Sequence, residues 1–202
     1  MIPDSNSYFS VPHNFNAYLS PWDASQGLPS EDELKDMQSV GLRLLTEVKT
    51  LEASCLLQLR NLDNDAKAVV DFLKLQSRKV DLVLQHVLEK EVQEGQHVKG
   101  NQFGGSGISI TSTFALNVGD YYKTHIYLHT EVVALLCICQ VTQCSPINQD
   151  DREDQDSTPQ WHAELEFSQI LEDDIEQLVK ASLGVQQKML KKRKQNIDKQ
   201  RR

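Results

Sequence analysis

The residues able to do chemistry are few and scattered. A glycine-dense stretch, NQFGGSGISI at residues 101–110, has the composition of a loop that lets a phosphate approach the backbone. It lacks the Lys followed by Ser or Thr that a nucleotide-triphosphate loop requires after Gly107. It also runs from a helical pattern into a strand pattern, the reverse of the dinucleotide fingerprint. Ser106 has no G-x-S-x-G setting for a nucleophile. His125 and His129 fall on one face of a strand pattern, as two metal ligands would, but no third ligand accompanies them. Cys137 and Cys139 share a strand face in an apolar run. With no CxxC pair, Cys55, Cys137, Cys139 and Cys144 read as buried free thiols of a reducing compartment. Asp150, Asp151, Glu153, Asp154 and Asp156 lack the glycine and ordered spacing of a calcium loop. The pattern predicts a chain that is not an enzyme and holds no metal. A small metal-dependent or thiol enzyme built on His125, His129 and the cysteines is the alternative.

Charge narrows the partners. The 202 residues carry 29 acidic and 21 basic side chains, a net charge of −8. A net-acidic surface repels phosphate, which argues against a general nucleic-acid binder. The basic groups gather at the end of the chain, where Lys188, Lys191, Lys192, Arg193, Lys194, Lys199, Arg201 and Arg202 form a tail. Such a tail suits RNA, a membrane surface or an acidic partner, or a solvated helix end whose cations complement the dipole. The longest apolar run, Val132 to Cys139, is too short to span a membrane, and the first residues lack a basic region followed by an apolar run. These features predict a cytoplasmic protein.

The elements that must position these residues fall into four regions. Residues 1–29 hold a first strand, with Tyr8, Phe9, Val11, Phe15 and Tyr18, interrupted near Pro12 and Asn14 and followed by a linker. Residues 30–97 are helical. Ser30 and Glu33 form an S-x-x-E capping box, and a helix continues to about Leu62 with Leu34, Met37, Gly41, Leu44, Val48, Leu51 and Cys55 in steps of three and four. NLDND at 61–65 breaks it. A second helix, about Ala66 to Val92, carries Val69, Leu73, Gln76, Val80, Val83 and Val87 in the same spacing, with Phe72, Leu75, Leu82, Leu84 and Leu88 beside them. That face is too wide for two helices, and the β-branched seam favours more than two strands. The helices are expected to oligomerise, with Gln76 as a register-fixing polar layer. Packing on their own domain is the alternative.

From 98 to 170 the pattern is β. GISITSTFAL, GDYYKTHIYLHTE and the continuously apolar VALLCICQVTQCSPI lead to a polar loop at 148–159 and then to HAELEFSQI, in which Ala163, Leu165 and Phe167 share a face. Short strands at near-regular spacing suggest a small antiparallel barrel or sandwich. Residues 171–202 form a final helix and the basic tail. Asp173 and Glu176 resemble a capping box, and Ile175, Leu178, Val179, Ser182 and Val185 mark a face able to close a barrel end.

The order of four short motifs resembles the PilZ domain. They are a strand beginning FSVP, a turn ending in Gly107 before ISI, L-x-x-G-D at Leu116 to Asp120, and Phe167, Ile170, Asp174 and Leu178 leading into a final helix. The resemblance covers residues 6–20 and 98–195. It implies an α+β fold, with a small antiparallel six-stranded β-barrel, a long inserted helical hairpin or coiled coil and a C-terminal helix. It further implies a bacterial signalling role, because many PilZ domains bind cyclic di-GMP. The insertion is similar to that of the tetrameric branch, in which a parallel four-helix coil is wrapped by outer antiparallel helices. This implies a homotetramer, with the Val69 to Val87 helix inside and the Leu34 to Cys55 helix outside. Ligand-binding members use R-x-x-x-R and D/N-x-S-x-x-G. The arginine positions fall here on Asn6 and Ser10, and the second motif on Gln102, Gly104 and Gly107, of which only the glycine matches. Neither Asn nor Ser can grip a phosphate as a guanidinium does. The expectation is a regulatory adaptor with a degenerate nucleotide site and a protein partner, without bound cofactor. A receptor that meets cyclic di-GMP or another anionic nucleotide through helix or tail cations is the alternative.

Overall fold

In the computed structural model, residues 10–59, 67–91, 93–147 and 159–200 are described. Asn6, the NLDND segment and the acidic residues 150–156 lie outside them. The chain divides into two compact units, Met1–Leu34 with Glu94–Arg202, and Lys35–Gln93.

The first unit is a closed antiparallel barrel. Its strands are β1 (Val11–Trp22), β2 (Gln96–Phe103), β3 (Gly107–Ser112), β4 (Tyr121–Leu128), β5 (Val133–Pro146) and β6 (Trp161–Gln169), in the order β1-β2-β3-β6-β5-β4, with β1 also paired to β4. Closure leaves no edge strand to recruit another chain. β1 is one strand rather than two. The expected interruption is a bulge, a register shift between Pro12 and Phe15, where Pro12 has no N–H to give to the ladder. Val11, Phe15, Ala17 and Leu19 point inward from it. β5 is buried on both faces from Val133 to Cys139, with Val133, Leu135 and Cys137 in the barrel core, which explains its unbroken apolar sequence.

The helix α4 (Glu172–Gln200) adds Leu178, Ala181 and Val185 to the same core. It begins earlier than the Asp173 and Glu176 pattern suggests. Glu172, Asp173 and Asp174 form its first turn, and Asp174 is buried rather than capping. Of the face expected to close the barrel, Leu178, Ser182 and Val185 are buried, whereas Val179 is exposed.

The chain leaves the barrel unit through α1 (Glu31–Asp36). Ser30 N donates to Glu33 Oε2 at 2.7 Å and Glu33 N to Ser30 Oγ at 3.3 Å, so the capping box forms there. The expected continuous helix is broken after it. A new helix, α2 (Val40–Leu59), starts with Ser39 Oγ accepting from Leu42 N at 3.1 Å. Its partner α3 is Lys67–Lys90. Ser39 Oγ donates to Glu91 at 2.8 Å, Lys49 pairs with Asp81 at 2.6 Å, and Ser77 bonds to Glu52. Numbers that rise along α2 fall along α3, so the two helices run antiparallel. Leu42 and Leu45 of α2, and Leu84 and Leu88 of α3, are buried. No helix among the described residues is long and apolar enough to cross a membrane.

Two buried titrating groups in the barrel unit oppose each other. Asp174 Oδ2 and His125 Nδ1 have no hydrogen-bond partner. Burial, reinforced by Asp173, pushes the Asp174 carboxyl up to about 7, and burial, reinforced by Lys123 and countered by Glu94, pushes the His125 imidazole down to about 4. Between pH 4 and 6.5 the folded chain therefore holds the Asp174 proton, while the unfolded chain holds the His125 proton. The two counts match, so these groups leave stability nearly flat there. Asp174→Asn removes one side of the balance. Its stability is expected to rise with pH across that window, by up to about 1.4 kcal/mol per pH unit. His125→Gln is expected to fall with pH at a similar slope, on to about pH 7. Urea unfolding at half-unit pH steps checks both slopes.

Candidate functional site

The glycine stretch is not the return from the helices into the barrel. That return is made by β2, and residues Gly104 to Ser106 are the hairpin turn from β2 to β3. β2 is hard to see in the sequence because QHVKGNQF alternates poorly and buries only Val98, Gly100 and Phe103. In the turn, Gly104 N donates to Gly107 O at 3.0 Å, and Phe167 N of β6 donates to Ser106 O at 2.9 Å.

This hairpin and its neighbours line a cleft of about 480 Å³. Three positions mapped to the dinucleotide motifs meet there, namely Ser10, Gln102 and Gly107. Gln102 Nε2 donates to Ser10 Oγ at 2.7 Å, which holds the two side chains together. Gly104 lies in the turn outside the lining. Gly107 has a structural reason to be glycine. It pairs with Glu166, and a Cβ on it would lie 2.3 Å from the Leu165 carbonyl oxygen. The residue that matches the ligand motif is thus also the one that β3 needs to reach β6.

The opposite wall comes from β5 and β6. Thr142, Gln143, Glu164 and Glu166 line it, and both carboxylates are exposed. No Lys, Arg or His is among the described residues of the lining. A site for two phosphates needs positive charge and bidentate donors. This cleft offers hydroxyls and amides, and the only charges among its described residues repel an anion. Sequence reasoning missed Glu164 and Glu166. The alternation of HAELEFSQI puts them outward, but only the pairing of β3 with β6 puts them beside Gly107.

The other chemical residues are dispersed. His129 is not on the β4 face with His125, because β4 stops at Leu128 and His129 opens a 3₁₀ turn through Glu131. Its Nε2 lies 2.9 Å from Asn16 Nδ2, while His125 is largely buried. Cys137 and Cys139 do share a face, with their Sγ atoms 3.5 Å apart and both buried. Burial first, then Cys139, raises the Cys137 thiol well above its ordinary range, which keeps it a poor nucleophile. Cys55 is exposed and Cys144 half-buried, against the expectation that all four are buried. Among the described residues no three His, Cys, Asp or Glu side chains group to hold a metal.

The seam residues of α3 face solvent in the single chain. Val69, Leu73, Val80, Val83 and Val87 are exposed, and Gln76 is half-buried. On α2, Leu44 and Leu51 are exposed and Val48 half-buried, one stripe away from Leu42 and Leu45. Lys191, Lys192, Arg193 and Lys194 are all exposed on the last third of α4.

No family model matches the sequence, and neither does any curated protein. Solved structures do. A tetrameric PilZ-domain protein from Xanthomonas campestris, self-assembled via a helical bundle, covers 90% of this chain and 90% of its own, at 12% identity and a TM-score of 0.50. The MrkH protein of K. pneumonia in its apo state matches 48% of this chain and 43% of its own, at 14% identity and a TM-score of 0.42. The PilZ domain of YcgR from Escherichia coli, with c-di-GMP, matches 52% and 83%, at 11% identity and a TM-score of 0.41. The fold is that of a PilZ-like barrel, α+β, with a helical insertion and a C-terminal helix.

The close approach of β3 to β6 is directly testable. Gly107→Ala is expected to cost about 1–3 kcal/mol, because the obstacle is backbone. Gly105→Ala meets side chains alone, Val179 at 3.2 Å and Ile175 at 4.0 Å, and is expected to cost much less. Urea midpoints of the two variants check the order.

Proposed function

We propose that this chain is a non-enzymatic regulatory adaptor of the PilZ type, of the cyclic di-GMP signalling class that the sequence resemblance implies, with a degenerate nucleotide site. It acts through a protein partner, as a homotetramer in the cytoplasm. The observation that carries this reading is the cleft itself. It sits where the mapped ligand positions Ser10, Gln102 and Gly107 meet, yet Glu164 and Glu166 supply the only charges among its described residues. An adaptor with that cleft keeps the barrel as a surface for protein contacts and leaves the dinucleotide to other proteins.

The helical unit supports the assembly. The exposed apolar face of α3 includes Val69, Phe72, Leu73, Val80, Val83 and Val87. A face that large is the signature of an interaction site rather than of a solvated helix. The pairing of α2 with α3 through Leu42, Leu45 and Lys49 leaves that face open, which favours α3 as the inner helix and α2 as its outer antiparallel neighbour. The Xanthomonas campestris structure, with a similar fold, self-assembles via a helical bundle.

Two measurements test the reading. Calorimetric titration with cyclic di-GMP is expected to give no saturable heat. Micromolar or tighter binding, abolished by Gln102→Ala, would overturn the degenerate site. Val80→Glu with Val83→Glu is expected to reduce the particle to monomers or drive it into aggregates. An unchanged mass in light scattering would overturn the α3 seam.

A further inference from the structure

α4 has a second face that stays open to solvent. Its barrel side is filled by Leu178, Ala181 and Val185. Away from it Leu183 and Leu190 are 52% and 57% exposed, and Val179, which also lies over the Gly105 turn, is 41% exposed. With Gln186 they step by four, three and four residues, the spacing of a helix-pairing seam. Charge along the helix is polarised. Glu172 and Asp173 stand in the first turn and Glu176 follows, all exposed, with Glu176 also paired to Lys180 of its own helix at 3.0 Å, while Lys191 to Lys194 form an unbroken exposed basic run at the other end.

This order of groups is complementary to its own reverse. In an antiparallel pair of α4 helices centred between Gly184 and Val185, Val179 of one copy faces Leu190 of the other. Leu183 then faces Gln186, and Glu176 faces Arg193. A parallel pair would instead set the basic run against itself.

We propose that α4 is a homotypic docking surface, on which a second copy of this chain lays its own α4 antiparallel along Val179, Leu183 and Leu190. The contact rests on three apolar side chains and a few charges on each copy, whereas a stable interface joins about 20–30 residues a side. It therefore acts as a weak link between copies, strengthened where several act at once and weakened by salt. It is separate from the α3 seam and does not depend on it.

The test is a charge swap in the full-length chain. One variant carries Glu172→Lys and Glu176→Lys, so both ends of α4 are basic. The other carries Arg193→Glu and Lys194→Glu, so both ends are acidic. Sedimentation velocity over a concentration series is expected to show wild-type association beyond the base oligomer. Each variant alone should lose it, at least tenfold weaker, and an equimolar mixture should regain it. Helix content by circular dichroism should be unchanged in both variants. A wild-type mass that does not rise with concentration overturns the proposal, as does a mixture that fails to regain association. Vesicles of phosphatidylglycerol and phosphatidylcholine distinguish the other occupant. Vesicle binding lost in the acidic-ended variant, with self-association untouched, assigns the face to an anionic membrane instead. The α3 substitutions change the mass of the base oligomer, whereas the α4 swaps change only the further step, so either reading can fail without the other.

Discussion

The approach of β3 to β6 at Gly107 is the constraint on which the barrel and its cleft both depend. These strands are far apart in sequence, and their pairing closes the ring β1-β2-β3-β6-β5-β4. At Gly107 the two backbones come so close that a Cβ would lie 2.3 Å from the Leu165 carbonyl. The same pairing places Gly107 opposite Glu166 and Ser109 opposite Glu164, which brings both carboxylates to the cleft. α4 is tied to this corner as well, because Val179 lies over the Gly105 turn. A single close contact thus sets the topology, the electrostatics of the cleft and one support of the helix.

Chemically, the described lining of the cleft sets neutral hydroxyls and amides beside two carboxylates. Ser10 and Gln102 bond to each other at 2.7 Å, which leaves the Ser10 hydroxyl proton, the second Gln102 N–H and Gln102 Oε1, all neutral groups. Desolvating a phosphate demands donors that more than replace its water, and a hydroxyl beside two carboxylates does not. Strand pairing by itself requires a glycine at 107, so that residue does not report on what the cleft binds.

Much of the fold was legible in the sequence, for reasons that can be given residue by residue. The capping box at Ser30 and Glu33 is a local device and forms as expected. The continuous apolar run of β5 and the alternation of Ala163 and Leu165 follow from burial and show directly. Three features were hidden. β2 buries so few large side chains that QHVKGNQF carries almost no periodic signal. The break before Val40 was masked because Met37 and Gly41 keep the helical spacing, while the capping role of Ser39 shows only in its bond to Leu42 N. At α4, Asp173 and Glu176 mimic a capping box inside the true start. In the site, Ser10, Gln102 and Gly107 were found from motif order, but Glu164 and Glu166 depend on strand neighbours that no local pattern encodes.

The two units meet water in different ways, and this decides what each can do alone. The barrel buries its apolar residues by closing on itself and by taking Leu178, Ala181 and Val185 from α4. It needs no second chain. The helix pair cannot do the same. α2 and α3 bury Leu42, Leu45, Leu84 and Leu88 between a few polar links, yet Val69, Phe72, Leu73, Val80 and Val83 remain in solvent. Exposing that much apolar surface is unfavourable at roughly 25 cal/mol per Å². The polar links at Lys49–Asp81 and Ser39–Glu91 order the pair without removing that surface. In the proposed assembly α3 buries that surface against other copies, which ties the stability of the helical unit to chain concentration. The barrel core, closed on itself, carries no such dependence.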